Sequence, residues 1–288
     1  MKPPAFDYHD PRNLDEVLEL LAQHGEDAKV LAGGQSLVPM LNFRLAHPEH
    51  LVDLRRIDSL AYVCRQDGAL RIGTMTRQAT LESSPLVAAQ WPLLTEALGF
   101  VAHAQIRNRG TVGGSVAHAD PAAELPAAFC ALDARFHVRS QRGTRSVGWR
   151  DFFITHLTTA LEPDELLVEI EVPPLPQTTG WAFVEYARRH GDFALGGAAA
   201  LLTIEDGICR RARIALRAAA DTPLRPEAAE RSLEGNVVSE EAAAEAARLA
   251  TANINPTGDI HGDSEYRKHL IEAMVRRAIT HATARAGR

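Results

Sequence analysis

The sequence predicts an α+β protein in two parts, and three observations carry that reading. A β-α-β-like unit fills residues 1–55, and the turn-former cluster "PPLPQTTG" at residues 173–180 is the densest in the chain. Beyond it, two long apolar strands are joined by Asp206-Gly207, the dipeptide of a type I′ hairpin turn.

Taken in order, the elements support this division. Asn13 has the position of an N-cap, followed by Asp15 and Glu16 in a first turn and by Leu14, Val17, Leu18 and Leu21 at helical spacing, with Gly25 just past the end. "AKVLAG" reads as a short strand and "HLVDL" as a second. Between them Ser36 is expected to cap a short helix that tolerates Pro39 only in its first turn. From "ALRIGTMT" onward the pattern loosely repeats as strand, short helix near "RQATLESS" and helix "WPLLTEALGF". "PAAELPAAFCALDA" then reads as a helix opened by Pro121, and "RFHVRS", "TRSVGW" and "ELLVEIEVP" as strands. After the linker, "WAFVEYARR", "FALGGAAALLTIE" and "ICRRARIALRAA" predict an antiparallel sheet, and two or three helices close the chain.

Composition narrows the function. The 288 residues are 45% hydrophobic and 24% charged, an ordinary globular balance with chain enough for more than one core. The net charge of -6 offers no positive field to gather a polyanion, which argues against nucleic acid as a partner. "MKPPAFDYHDP" has no apolar signal region and no segment is apolar enough to span a bilayer, so a cytoplasmic location is expected. Cys64, Cys130 and Cys209 form no C-x-x-C pair; they are expected to be buried thiols and cannot alone hold an iron–sulfur cluster or zinc. His47 and His50 in "AHPEH" belong to no H-E-x-x-H motif and read as loop histidines, so no metal site is predicted.

Two glycine pairs remain, in "LAGGQSLVPML" (residues 31–41) and "TVGGSVAHADP" (residues 111–121). Neither spells G-x-G-x-x-G or a Walker loop. Glycines without Cβ let backbone N–H groups approach an anion closely. Each pair is expected to exit a strand, with Ser36 and Ser115 adding hydroxyl donors, so that a pyrophosphate could be held without arginine or lysine.

The stretches "AGGQSLVPMLNFRLAHPEHLVDL", "IRNRGTVGGSVAHADPAAELPA" and "HGDSEYRKHLIEAMVRRA" closely resemble the FAD-binding medium subunit of molybdenum hydroxylases, the carbon monoxide dehydrogenase and xanthine dehydrogenase family. The resemblance covers essentially the whole chain. It implies an FAD-binding region of the vanillyl-alcohol oxidase type over residues 1–176, with subdomains of about 1–55 and 56–176, and a C-terminal α+β domain over 177–288. It further implies an electron-transfer role: FAD on this chain takes electrons from [2Fe-2S] clusters on a small subunit and passes them to an external acceptor. Substrate is oxidised at a molybdopterin centre on a large subunit, the whole being a dimer of heterotrimers. No acid–base catalytic residue is implied for this chain.

Carried over by position, the resemblance places the pyrophosphate cradle at Ala32, Gly33, Gly34, Gln35 and Ser36, flanked by Lys29 and Leu37. The second cradle falls on Thr111, Val112, Gly113, Gly114 and Ser115, where many relatives have asparagine for Ser115, with Ala117 just beyond. Glu124, where relatives commonly have aspartate, is implied in hydrogen bonding around the flavin or ribityl chain, and Leu166 and Leu167 in walling the adenine or flavin. Asp192 and Phe193 match the flavin-proximal segment, with Phe193 where some relatives have tyrosine; by itself a phenyl there could equally be a core aromatic, and Asp192 a turn residue. Glu185 stands where several relatives have lysine, which removes a cation from the flavin's neighbourhood. Two alternatives stay open at this point. A self-sufficient FAD oxidoreductase would reduce its flavin directly with substrate, and a cofactor-less binding or assembly protein of the same fold would take up no FAD.

Overall fold

The computed structural model describes residues 2–287 and opens with a three-stranded parallel sheet. In it β1 (Asp7–His9) and β2 (Ala28–Leu31) flank β3 (His50–Asp53), with α1 (Leu14–His24) before β2 and α2 (Leu37–Asn42) between β2 and β3. The Asn13 cap forms as expected: its side chain accepts from the Glu16 N–H at 3.0 Å, worth about 1 kcal/mol. Val17, Leu18 and Leu21 then bury the inner face of α1 against Val52, Leu54, Ile57 and Leu60. Strand β1 carries no apolar alternation and was not foreseen; it is an edge strand, held by parallel pairing of Tyr8 with Leu51 and by the Tyr8 hydroxyl donating to Asp53 Oδ2 at 2.6 Å.

The second region is not a loose repeat of the first. Its sheet is antiparallel, in the order β4 (Val63–Gln66), β5 (Ala69–Gly73), β10 (Leu166–Val172), β6 (Arg135–Ser140), β7 (Gly143–Gly148). Asp67-Gly68, at φ +52° and +84°, turns β4 directly into β5 as a hairpin, which a strand-helix repeat would not do. Short helices α3 (Gln78–Glu82), α4 (Pro85–Gln90), α5 (Pro92–Phe100), α6 (Ala104–Arg107), α7 (Val112–His118), α8 (Glu124–Ala131) and α9 (Trp149–Phe152), with the small ribbon β8 (Phe153–Thr155) and β9 (Thr158–Thr159), complete the region. Helix α8 begins at Glu124, three residues later than expected. Asp120 closes a turn instead, its Oδ1 accepting from Ala122 N–H at 2.8 Å, and Pro121 lies in that turn.

Residues 173–178 lead into an antiparallel sheet of β11 (Thr179–Tyr186), β12 (Gly196–Glu205) and β13 (Ile208–Arg217). Asp206 and Gly207, at φ +51° and +78°, make the anticipated turn. Central strand β12 is buried on both faces, and period-two alternation divides its side chains between two cores. Ala199 and Leu201, with Phe183 and Ala215, join the core of α5 and α8, whereas Ala198, Ala200 and Leu202 join that of α10 (Glu227–Leu233), α11 (Glu240–Thr251) and α12 (Ser264–Arg285). Of the cysteines, Cys130 and Cys209 are buried as expected and Cys64 is exposed on β4. His50 is not in a loop but opens β3. No helix among the described residues is long and apolar enough to cross a membrane.

Candidate functional site

A cavity of about 510 Å³ lies where the loop after β2, the segment 74–78, the start of α7 and the segment 161–167 meet, with residues 191–193 at its lip. The loop after β2 supplies its donors. Gly34 is at φ +74°, a conformation that favours glycine, and the backbone N–H groups of Gly33, Gly34, Gln35, Ser36 and Leu37 donate to no protein acceptor among the described residues. Ser36 does not cap α2: its backbone is already helical and its side chain makes no capping bond, which leaves the hydroxyl available at the cavity wall.

The second glycine pair works differently from the expectation. It does not exit a strand but forms the first turn of α7, capped by Thr111. Its amides are committed: Gly113 N–H donates to Thr74 O at 2.9 Å and Gly114 N–H to Thr111 Oγ1 at 3.0 Å. These glycines permit close approach instead. A Cβ at Gly113 would lie 2.3 Å from Thr74 Cβ, and one at Gly33 would lie 2.5 Å from Arg109 O and 2.8 Å from Gly110 Cα. The first cradle is thus pressed against the segment 109–110 that leads into the second, and the second against Thr74, while only the first offers free amides.

Among the lining residues there is no lysine or arginine. Two of the wall's carboxylates are ion-paired from behind: Glu165 to Arg145 at 2.6 Å, and Glu124 to the fully buried Arg217 at 3.2 Å, a guanidinium that Glu185 shares. The Arg145 hydrogen bond holds Glu165 below the ordinary glutamate range. Burial pushes the pKa of His118 down, against a smaller pull upward from Asp120, so the wall carries a neutral imidazole near pH 7. Two deeply buried polar atoms of the lining, Thr74 Oγ1 and Gln78 Oε1, have no hydrogen-bond partner among the described residues. Such atoms cost stability unless something in the cavity meets them. Free amides, unpaired neutral acceptors and no fixed cation suit a long ligand whose phosphates carry modest charge, as in a dinucleotide.

The structure brings together all the predicted site residues except two. Lys29 is exposed on β2, and Val112 is fully buried in the core; neither lines the cavity. Phe193 is 74% exposed, which excludes the core reading, and Asp192 is exposed in the bend after Gly191. Glu185 is ion-paired to Arg217, which it shares with Glu124, so the three groups together keep one net negative charge. Sequence reasoning missed Thr74, Gln78, His103, His118 and Glu165, which line the wall. Only "GTMTRQ", a polar run straight after a buried strand, hinted at the first two.

With that geometry established, comparison with known proteins gives two family matches that together span nearly the whole chain. Residues 4–175 match the FAD binding domain in molybdopterin dehydrogenase, and residues 181–282 the CO dehydrogenase flavoprotein C-terminal domain. The chain belongs to the FAD-binding subunits of molybdopterin dehydrogenases. It is 45% identical to the 6-hydroxypseudooxynicotine dehydrogenase complex subunit alpha of Paenarthrobacter nicotinovorans, over 99% of this chain and 97% of that one. A solved structure of carbon monoxide dehydrogenase from Hydrogenophaga pseudoflava, lacking the Mo-pyranopterin moiety of the molybdenum cofactor, superposes with a TM-score of 0.98 at 43% identity, covering all of both chains. Quinoline 2-oxidoreductase from Pseudomonas putida 86 matches at 0.94 and 44%, covering 99% of each. The FAD-binding and carbon monoxide dehydrogenase family expectations are met, as is that of an antiparallel sheet in the C-terminal part.

Proposed function

We propose that this chain is the FAD-binding electron-transfer subunit of a heteromeric molybdenum hydroxylase, receiving electrons from a [2Fe-2S] subunit and handing them to an external acceptor. Bound FAD supplies the redox chemistry, and the polypeptide supplies position, donors and shelter. The observation that carries the reading is the run of five amides, Gly33 to Leu37, that donate to no acceptor among the described residues, on a cavity with no lysine or arginine among its lining residues.

In this proposal those amides and the Ser36 and Ser115 hydroxyls bind the pyrophosphate, while Gly33, close against Arg109 and Gly110, and Gly113, close against Thr74, set the spacing of the walls. Thr74 and Gln78 meet the cofactor's polar groups. Leu166 and Leu167, both buried, supply an apolar wall that excludes water, and Glu124, fixed by Arg217, orients around the ribityl chain. Phe193 stands at the lip, where its exposed ring can cover isoalloxazine by stacking. A division into residues 1–176, itself split near 55, and 177–288 belongs to the same proposal. So do a large molybdopterin subunit and a small iron–sulfur subunit as partners, assembly as a dimer of heterotrimers, and a cytoplasmic location.

Co-purification tests it. Expressed in its own cell, the chain should be recovered with two further chains, one FAD per copy, molybdenum and iron, and its flavin should be reduced by substrate only when those chains are present. Direct reduction of the isolated flavoprotein by substrate would favour a self-sufficient oxidoreductase, and failure to take up FAD would favour the cofactor-less reading.

A further inference from the structure

We propose that His9, His24 and His50 form a three-histidine site for a divalent transition-metal ion of the zinc type, separate from the FAD cavity. The three come from different elements: His9 ends β1, His24 ends α1 and His50 opens β3. One ring nitrogen of each lies within 4.8 Å of the others, and none of the three lines the FAD cavity.

The spacing is close to what a metal needs. With metal–nitrogen bonds of about 2.0 Å at tetrahedral angles, ligand nitrogens sit roughly 3.4 Å apart and ring centres roughly 5 Å apart. His9 Nε2 and His50 Nδ1 are 3.1 Å apart, and the ring centres are 5.3 Å apart for His9–His50 and 5.5 Å for His9–His24. The third pair, His24–His50, is stacked at 3.6 Å and must open by roughly 1.5 Å to ligate. His24 is half-buried at the end of its helix, with no hydrogen bond from either ring nitrogen among the described residues, so a side-chain rotation supplies that opening. Asp7, 81% exposed with Oδ2 at 3.9 Å from His50 Nδ1, is within reach as a fourth ligand, and water serves otherwise.

Ligand chemistry selects the ion class. Three imidazoles suit zinc, copper or nickel and are poor for magnesium or calcium, which want oxygen. The consequence is mechanical: an ion there clasps an edge strand and the end of α1 to β3, the central strand of the sheet from which the first glycine loop departs. The separation of residues 9, 24 and 50 in the chain conceals the site from motif reading, and the AHPEH pair misleads because only its second histidine takes part.

The test uses the untagged, chelator-stripped full-length chain and Zn²⁺ alone, titrated in competition with a chromophoric chelator, with Co²⁺ as a spectroscopic probe. One Zn²⁺ should bind with a Kd on the order of micromolar or tighter, and Co²⁺ should show the intense visible bands of a tetrahedral site. His24→Gln, at a partly exposed helix end, and His50→Ala should each weaken Zn²⁺ by more than about 100-fold and bleach those bands. His47→Ala, in the exposed loop, should stay within about twofold, and FAD uptake in His24→Gln should be that of the parent. Equal Zn²⁺ affinity in the parent and His24→Gln, or a pale octahedral Co²⁺ spectrum in the parent, overturns the site.

Discussion

Replacing Gly33 with alanine isolates what the first glycine does. The added Cβ would lie 2.5 Å from Arg109 O, where ordinary contact begins at 3.4 Å, so the loop and the segment 109–110 must part by about 0.9 Å. Both opposing atoms are backbone, and no side-chain rotation can relieve them. Overpacking of this kind costs about 1–3 kcal/mol. If the loop parts from 109–110 in the apoprotein it sheds most of that strain there, and closing on FAD between the cradles restores it. The cost therefore falls on affinity, a rise in the FAD dissociation constant of roughly 5- to 150-fold, while urea unfolding of the apoprotein moves little. Gly99→Ala is the control: Gly99 lies exposed in α5 with nothing within 4 Å of a Cβ, so the substitution should be neutral or stabilising by up to about 1 kcal/mol, with FAD binding unchanged. Flavin fluorescence titration of the apoproteins reads the first quantity and urea denaturation the second. An FAD affinity for Gly33→Ala within twofold of the parent, at unchanged stability, refutes the close-approach reasoning.

Three more outcomes are expected. Thr74→Val and Gln78→Leu each remove a buried atom that has no partner, so apoprotein stability should hold or rise while FAD binding weakens by about 5- to 10-fold; unchanged titrations would mean the cofactor never reaches these atoms. Phe193→Ala should change the unfolding free energy by less than about 0.5 kcal/mol, since the ring is 74% exposed, yet alter the flavin spectrum or reduction potential; if the flavin signals stay put, the ring does not touch it. Burial alone would raise the pKa of Asp133, but Arg225, Arg213 and Arg211 together hold it below the ordinary aspartate range. A depressed folded-state pKa contributes stability that is present above the unfolded value near 4 and is lost as pH falls through the folded value. Asp133→Asn should therefore cost about 2–4 kcal/mol at pH 7, with the gap to the parent constant down to about pH 5 and shrinking below about pH 4 in urea midpoints taken across that range; a gap that widens on acidification contradicts the assignment.

Local chemistry made much of this fold legible. The Asn13 cap with its acidic first turn, and the type I′ turn at Asp206-Gly207, depend on residues a few positions apart, and both form as read. What was not legible depends on distant partners. Asp67-Gly68 carries the same turn signal as Asp206-Gly207, but its meaning as the corner of an antiparallel sheet comes from β10, some hundred residues downstream. The glycines at 113 and 114 look like an anion loop until Thr74 is seen to occupy the Gly113 amide. Ser36 has the composition of a cap, but a helical backbone at that residue keeps its oxygen from reaching the orphan amides. The site residues that sequence reading missed are mostly polar side chains without a motif, recognisable only once burial leaves Thr74 and Gln78 without partners.

Glu185 shows how a departure from a family pattern can be absorbed. Read by position alone, a glutamate in place of lysine reverses the charge at residue 185. In the fold, Glu185 and Glu124 share one fully buried guanidinium, Arg217, which also donates to the Ala122 carbonyl. Arg217 ends β13, Glu185 sits on β11 and Glu124 begins α8, so one cation fastens the cavity's wall to the C-terminal sheet. A lysine at 185 would be repelled by that guanidinium and leave Glu124 as its only carboxylate partner. The acidic residue at 185 is therefore coupled to the arginine at 217, and the charge presented to the cavity follows from the whole triad. Any comparison of flavin potential among these subunits must exchange positions 185 and 217 together, because removing Arg217 alone leaves Glu185 and Glu124 without a cation, and placing lysine at 185 alone sets two cations against Glu124.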